Sequence, residues 1–384
     1  MSAARDPDDL IETLRRQARG RRADPAPDAA PERPRAFDFS TLPDYRPIRL
    51  QKAALAELGL GLPFYREAEG SGPVEQVVEG RACVSFSSYD YLGLNRHPEV
   101  IAAAAAAAER WGVSASASRL VGGERPCHRR LERALAAMKG TEDCVVMVSG
   151  HATNVSTIAA LVGPEDLVIL DALAHNSMIE GARLSGASRL TMPHADLGWL
   201  EETLSRRRGE FRRVLVGVEG LYSMDGDAPD LAALVEIKER HGAWLMVDEA
   251  HSVGVLGAGG RGLAEAQGVD PSAVEIWMGT LSKALASCGG YVCGSAALVD
   301  FLKARAPGFV FSVGLAPPLA AAAETAIATM LREPERVARL AERGRLLRDS
   351  ARAAGLDTGL SEGHAVTPVV VGDSLRAVRA SAEL

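Results

Sequence analysis

The chain has 384 residues, of which 47% are hydrophobic, and its formal net charge at pH 7 is −7. A chain of this length and composition can bury the core of one large α/β domain and of a smaller one. The negative charge and the lack of basic clusters beyond the N-terminal tail argue against a nucleic-acid or anionic-membrane surface. No apolar run is long enough to span a bilayer.

The first 36 residues differ from the rest in composition. They are rich in Pro, Ala, Arg and Asp, which predicts a disordered tail with a short amphipathic helix at 8–19. This tail lacks the apolar stretch of a secretory signal. The five cysteines are odd in number and form no C-x-x-C pair, which indicates reduced thiols rather than disulfides or a zinc site. We therefore expect a cytoplasmic protein without a bound metal.

Short apolar runs alternate with helical patterns after a first strand at 82–88. The predicted helices lie at 98–111, 125–139, 153–162, 173–185, 197–208 and 230–241. The apolar runs lie at 144–148, 166–170, 213–219, 243–249, 275–279 and 290–294. Apolar runs without polar alternation, separated by helices, predict a doubly wound α/β fold with a mostly parallel sheet buried on both faces. Residues 319–354 are expected to form long helices that lead to a small element at 366–372.

Chemistry in such folds gathers beyond the carboxyl ends of the strands. Five successive strand ends carry polar or small residues, in chain order Gly150 with His151, His175, Ser223, Asp248 with His251, and Thr280 with Lys283. Each has a structural explanation by itself, such as a helix cap, a packed histidine or a turn, although a buried Asp248 needs a partner. Pyridoxal phosphate (PLP) uses them together, because its aldehyde needs an amine, its ring nitrogen an acid, and its phosphate N–H and O–H donors.

Six segments carry a resemblance to a known family. They read FSSYDYLGLNRHP, GTEDCVVMVSGHATN, DALAHNS, EGLYSMDGD, WLMVDEAHSVGVLGAGGRG and GTLSKALASCGG. In this order they resemble the α-oxoamine synthases of the fold-type I PLP superfamily, which include 8-amino-7-oxononanoate synthase, 2-amino-3-ketobutyrate CoA ligase and serine palmitoyltransferase. The resemblance covers about residues 45–372. It implies an N-terminal segment at 37–95, a large PLP-binding domain at 96–318 and a small, truncated α+β domain at 319–384.

The resemblance implies three catalytic residues. Lys283 resembles the lysine that forms the Schiff base with PLP and moves the Cα proton. Asp248 matches the acid that holds the proton on the ring nitrogen. His175 matches the histidine that stacks on the ring and helps to orient the amino acid.

Further positions match residues that bind the cofactor. Gly150 and His151 stand where the family caps the phosphate with a glycine and an aromatic residue. Ser223 and Thr280 match hydroxyls that contact a cofactor oxygen and the phosphate, and His251 matches the residue that hydrogen-bonds the 3-hydroxyl group.

The implied reaction is the decarboxylative condensation of a small amino acid with an acyl thioester, carried by CoA or an acyl-carrier protein, to give an α-amino ketone. By resemblance we expect a homodimer with the active site at its interface. Tyr89 replaces the asparagine of the 8-amino-7-oxononanoate synthases and is expected to line the substrate pocket. The family's arginine for the substrate carboxylate has no match at Arg376 or Arg379, which lie in a predicted helix. Either the chain is a fragment, which is the expectation we favour, or another group holds the carboxylate.

Four alternatives compete with this interpretation. The glycines at 257–262 fit a nicotinamide-binding loop, but they do not directly follow a strand as that loop requires. The motif at 359–363 fits a hydrolase elbow but runs from helix to strand, which is the reverse order. An aminotransferase of the same fold, and a catalytically impaired homologue that acts as a binding or partner subunit, stay open.

Overall fold

The computed structural model describes residues 38–70 and 74–384. The tail predicted for 1–36 and its helix at 8–19 therefore lie outside the described residues. The described chain divides into two compact units, of which one holds 38–64 with 381–384 and the other, the main unit, holds the remaining residues up to 380. The smaller unit contains a 3₁₀ turn at Phe39–Thr41 and helix α1 at Tyr45–Glu57.

A small antiparallel sheet opens the main unit. Its strands are β1 (Ala68–Glu69), β2 (Glu75–Val78) and β3 (Arg81–Val84), and β2 lies in the middle. The strand predicted at 82–88 is thus present, but it ends at Val84.

The large sheet of the main unit has seven strands. They are β4 (Asp143–Met147), β5 (Leu167–Asp171), β6 (Ser188–Met192), β7 (Val214–Glu219), β8 (Trp244–Asp248), β9 (Ile276–Thr280) and β10 (Gly290–Gly294). Their order is β4-β10-β9-β8-β7-β5-β6. Strand β10 runs antiparallel to both of its neighbours, β4 and β9, and the other neighbouring pairs are parallel. The predicted mostly parallel sheet is confirmed. Strand β6 escaped prediction because it lies at the edge, largely exposed, and has no continuous apolar run.

Helices connect and cover the strands of the large sheet. Those after α1 are α2 (Pro98–Trp111), α3 (Pro126–Lys139), α4 (Gly150–Leu161), α5 (Asn176–Ser185), α6 (Leu197–Arg207), α7 (Leu231–His241), α8 (Leu263–Gln267), α9 (Ala296–Arg305), α10 (Pro307–Val310), α11 (Pro317–Arg332), α12 (Glu335–Ala353) and α13 (Ser374–Glu383). Within the described ranges, no helix combines the length and apolarity needed to cross a bilayer. Both faces of the sheet are buried, because Leu167 and Ile169 of β5 belong to one apolar core and Val168 and Leu170 to another.

Two predicted helix starts differ from the structure for local reasons. Helix α4 begins at Gly150 rather than at 153, because the Ser149 hydroxyl accepts a hydrogen bond from the first turn and caps the helix there. Helix α5 begins at Asn176 rather than at 173, because the His175 ring accepts from the Ser177 N–H and ends the preceding turn. Both caps lie at carboxyl ends of strands.

The C-terminal part departs from the α+β expectation. Helices α11, α12 and α13 are present, but no strand occurs among residues 319–384, all of which the structure describes. The apolar run at 366–372 finds no neighbouring strand to pair with, and Val370 donates its N–H to the carbonyl of Asp357 instead. The predicted domain boundaries at 37–95, 96–318 and 319–384 stay predictions.

Glycine at 290 lets strand β10 lie against the first turn of α4. A Cβ added there would stand 2.7 Å from the Gly150 Cα and 2.5 Å from the Thr153 Oγ1. We expect Gly290→Ala to lower the free energy of unfolding by about 1–3 kcal/mol through overpacking, measured by urea denaturation. The matched control is Gly163→Ala, where an added Cβ has no neighbour within 4 Å. Equal stability of the two variants would contradict this packing argument.

Candidate active site

The carboxyl ends of the parallel strands surround a cavity of about 220 Å³. Predicted cofactor residues line it, namely Gly150, His151, His175, Asp248, His251, Thr280 and Lys283. Further lining residues escaped the sequence interpretation, among them Asn154, Ser177, Glu219, Ser282 and Cys288. The topology therefore collects side chains from five strand ends into one site.

Lys283 follows strand β9 and is largely buried in this cavity. Its Nζ lies 2.6 Å from Nε2 of His251, whose Nδ1 in turn lies 2.7 Å from the hydroxyl of Tyr91. Burial lowers the pKa of Lys283 to about 8, against the opposing attraction of Asp248 and Glu219. Burial and the Lys283 charge lower the pKa of His251 to about 3, so this imidazole is neutral near pH 7. The site thus holds an amine that readily loses its proton.

Asp248 ends strand β8 and is only 3% exposed. Its Oδ2 accepts a 2.7 Å hydrogen bond from the Asn154 side-chain amide, and its Oδ1 accepts one of 2.9 Å from the Ala250 N–H. These donors offset part of the desolvation cost of a buried carboxylate. A buried Asp248 was expected to need a hydrogen-bond partner. That partner is Asn154, which lies one helical turn after Gly150.

His175 caps helix α5 at the wall of the cavity. Its Nδ1 lies 2.6 Å from the Ser177 Oγ, and its ring stands edge-on to that of His151, with centroids 6.4 Å apart. Burial lowers the pKa of His175, and the charges of Lys283 and His151 lower it further, against the opposing effect of Asp248. A neutral imidazole is therefore the main form near pH 7.

The N-terminus of α4 forms another side of the cavity. The first N–H groups of a helix have no intrahelical carbonyl partner and suit an anion. A Cβ added at Gly150 would lie 3.0 Å from Thr280 Oγ1, so only glycine lets the helix start approach this hydroxyl without a shift. Thr280 Oγ1 also lies 2.7 Å from Ser282 Oγ. Backbone N–H groups and two hydroxyls thus surround one small volume.

Two predicted site residues do not line the cavity. Ser223 lies beside it and donates its backbone N–H to Oε2 of Glu219, at 3.1 Å. Tyr89 is exposed, and the centre of its ring lies 5.4 Å from Lys283 Nζ. Tyr89 therefore stands next to the amine.

Glu219 is a carboxyl group that the sequence interpretation passed over. It ends strand β7 in direct register with Asp248 of β8, so both side chains reach the same cavity. Burial and the neighbouring Asp248 charge raise the pKa of Glu219 to about 8. The available signal was position, because each acid stands at the end of an apolar run in the sequence.

Comparison with known proteins identifies the family. The family model described as aminotransferase class I and II matches residues 81–384. The 8-amino-7-oxononanoate synthase of Methylobacterium sp. (strain 4-46) is 44% identical over 307 residues, which cover 80% of this chain and 76% of that protein. The chain belongs to the α-oxoamine synthase family of PLP-dependent enzymes. The family, the enzyme class and the cofactor predicted from the sequence are thereby confirmed.

Solved structures of serine palmitoyltransferases share the fold of this α-oxoamine synthase. The enzyme from Sphingomonas wittichii superposes with a TM-score of 0.85 at 31% identity, covering 89% of this chain and 85% of that one. A variant from S. paucimobilis with bound PLP and myriocin gives a TM-score of 0.84 at 30% identity, covering 89% and 88%.

The donor set of the cavity fits PLP. Lys283 offers an amine for the aldehyde, Asp248 a carboxylate for the ring nitrogen, and His175 a flat ring. The start of α4 with Thr280 offers donors to a phosphate, and Gly150 keeps the space that a Cβ would fill. The roles of the individual residues stay predictions.

The depressed pKa of Lys283 predicts a pH dependence for PLP attachment. The nucleophile is the unprotonated amine, so its share rises about tenfold per pH unit below the pKa and is constant above it. We expect the attachment rate, followed by visible absorbance after mixing the apo protein with PLP, to level off near pH 8.

Lys283→Ala is the control for this measurement and should show no attachment at this site, checked by borohydride reduction and peptide mass. A rate that keeps rising to about pH 10.5, the ordinary lysine value, would contradict the depressed pKa.

Proposed function

We propose that this chain condenses a small amino acid with an acyl thioester, releasing the thiol and carbon dioxide to give an α-amino ketone. The observation that carries the proposal is one cavity that contains an amine with a depressed pKa, the Asp248 carboxylate and a neutral His175. The 44% identity to an 8-amino-7-oxononanoate synthase supports it.

Lys283 is the proposed base at the amino-acid Cα. When bound, PLP supplies an electron-withdrawing ring that stabilises negative charge at this carbon. The pKa of about 8 leaves roughly a tenth of the Lys283 amine unprotonated at pH 7, so Nζ can take the Cα proton and later return it. His251 positions Nζ through the 2.6 Å contact, and Tyr91 holds His251 from the other side.

The remaining residues would hold the cofactor and the substrates. Asp248 would keep the proton on the ring nitrogen, because its own two donors hold it in place. The start of α4 at Gly150 and His151, together with Thr280, would bind the phosphate. Ser223 and His251 are assigned to cofactor oxygens by family resemblance, and Tyr89 is assigned to the substrate entrance because its ring stands beside Lys283.

We also propose that the enzyme is a homodimer. Three large apolar side chains are strongly exposed on two neighbouring segments, with Leu120 at 67%, Val121 at 85% and Phe311 at 85%. A 2.9 Å hydrogen bond from the Ser118 hydroxyl to the Val310 carbonyl joins these segments. An apolar patch of this kind is typical of an interface, and a second copy of the chain is the proposed occupant.

A cytoplasmic location is part of the same proposal. All five cysteines are free thiols, which suits a reducing compartment.

The reaction predicts thiol release that depends on Lys283. The assay supplies the PLP-loaded protein with glycine, alanine or serine and with acyl-CoA or acyl-carrier protein, and it measures free thiol. We expect Lys283→Ala to lower the rate by at least about 10²–10⁴ because the Cα proton loses its base. Asp248→Asn should lower it about 100-fold, because the ring nitrogen loses a charged partner.

The control for that assay is Lys52→Ala, an exposed lysine in the smaller unit, which should leave the rate unchanged. An aminotransferase would instead convert the amino acid with a keto acid and release no thiol. That result, or release unaffected by Lys283→Ala, would overturn the proposed reaction.

The dimer proposal predicts a matched pair of outcomes. Leu120→Asp should raise the dimer dissociation constant by at least about 100-fold, because an unpaired charge would be buried at the interface. Leu184 on α5 is equally exposed at 67%, and Leu184→Asp should leave the dimer intact. Sedimentation velocity measures both. A wild-type monomer, or equal effects of the two substitutions, would contradict the proposed interface.

A further inference from the structure

We propose that Asn154 and Ser177 are positioning residues that fix the tautomer of His175, so that its Nε2 carries the proton and donates to a substrate oxygen. The substrate part of this inference rests on the proposed function. The tautomer part rests on the hydrogen bonds alone.

Asn154 links Asp248 to Ser177. Its side chain is buried on α4, and its amide nitrogen donates to Asp248 Oδ2 at 2.7 Å and to Ser177 Oγ at 2.9 Å. An ionised carboxylate only accepts hydrogen bonds, so the NH₂ group and not the oxygen of Asn154 faces Asp248. Both amide hydrogens are then used, and Ser177 Oγ is the acceptor of the second.

The hydrogen bond from Asn154 to Ser177 sets the direction of the hydrogen bond between Ser177 and His175. Because its oxygen accepts from Asn154, its own O–H is free to donate, and Nδ1 of His175 lies 2.6 Å away. The backbone N–H of Ser177 also donates to this Nδ1, at 3.3 Å. A ring nitrogen that receives two donors carries no proton itself. The neutral imidazole therefore carries its single proton on Nε2.

The lowered pKa of His175 supports the neutral form of this ring. The charged or titratable groups that act on the ring are Asp248, Lys283 and His151. Among the described residues, the cavity lining includes no arginine that could bind a substrate carboxylate. A fixed Nε2–H is then a hydrogen-bond donor for the amino-acid carboxylate or for the thioester carbonyl. In this arrangement His175 orients substrate, and Lys283 is left to move the proton.

The test reads the tautomer directly. The 384-residue chain, loaded with PLP, is labelled with ¹⁵N-histidine, and the His175 signals are assigned by their loss in His175→Asn. We expect Nδ1 to be unprotonated and Nε2 protonated in the wild type. Asn154→Leu and Ser177→Ala should each shift the population toward the Nδ1–H form. Both should raise KM for the amino acid about 10-fold, with a smaller change in kcat.

Two variants control for a merely structural effect. Thr157 lies on α4 three residues after Asn154, is fully buried, and its hydroxyl has no hydrogen-bond partner in the described part of the chain. Thr157→Val should therefore keep the wild-type tautomer and KM. Ser177→Thr keeps the hydroxyl and should also keep the tautomer, so the Ser177 pair carries the test if Asn154→Leu does not fold.

The outcomes test the tautomer of His175 and its role toward substrate separately. A wild-type His175 with its proton on Nδ1, or an unchanged tautomer in Ser177→Ala and Asn154→Leu, overturns the inference. If the tautomer changes as expected but the wild type releases no thiol, the roles of Asn154 and Ser177 in fixing the tautomer are supported and the proposed reaction is refuted. Expected tautomer changes with an unchanged KM overturn the substrate part alone.

Discussion

The structure depends on burying an amine and two carboxyl groups at one edge of a parallel sheet. Lys283, Asp248 and Glu219 share a cavity of about 220 Å³, where each unbalanced charge is expensive. The site meets this constraint through two pKa shifts. The pKa of Lys283 falls to about 8 and the pKa of Glu219 rises to about 8, and both shifts favour the uncharged form of the group. Asp248 keeps hydrogen-bond donors on both oxygens. The depressed lysine pKa suits the amine for proton transfer.

A buried ion pair keeps the next acid out of the site. Glu249 directly follows Asp248, but its carboxylate accepts from Lys139 Nζ and from the Leu263 N–H. The Lys139 ammonium also lies 4.1 Å from the centre of the Trp277 ring. The two neighbouring acids therefore have different tasks. Glu249 ties α3 and α8 to the sheet and carries a neutralised charge, while the Asp248 carboxylate faces the cavity.

Local structure excludes the two competing motifs of the sequence, the nicotinamide-binding loop and the hydrolase elbow. In the glycine-rich loop at 257–262, the N–H groups of Gly259 and Arg261 donate to the carboxylate of Glu265. A loop whose donors bind its own glutamate cannot offer them to a dinucleotide phosphate. The motif at 359–363 follows a turn, with no strand before it, so it lacks the strand-to-helix bend of a hydrolase elbow.

The sequence by itself determined the alternation of helices and strands, the parallel sheet and the residues that stand at the strand ends, because apolar periodicity and caps are local properties. Tertiary structure alone decided the antiparallel β10, the edge strand β6, and the contacts of Asn154 with Asp248 and of Tyr91 with His251. These pairs lie 94 and 160 residues apart. Strand order and register set such contacts by packing distant segments together, and no local pattern records which buried polar group another will meet.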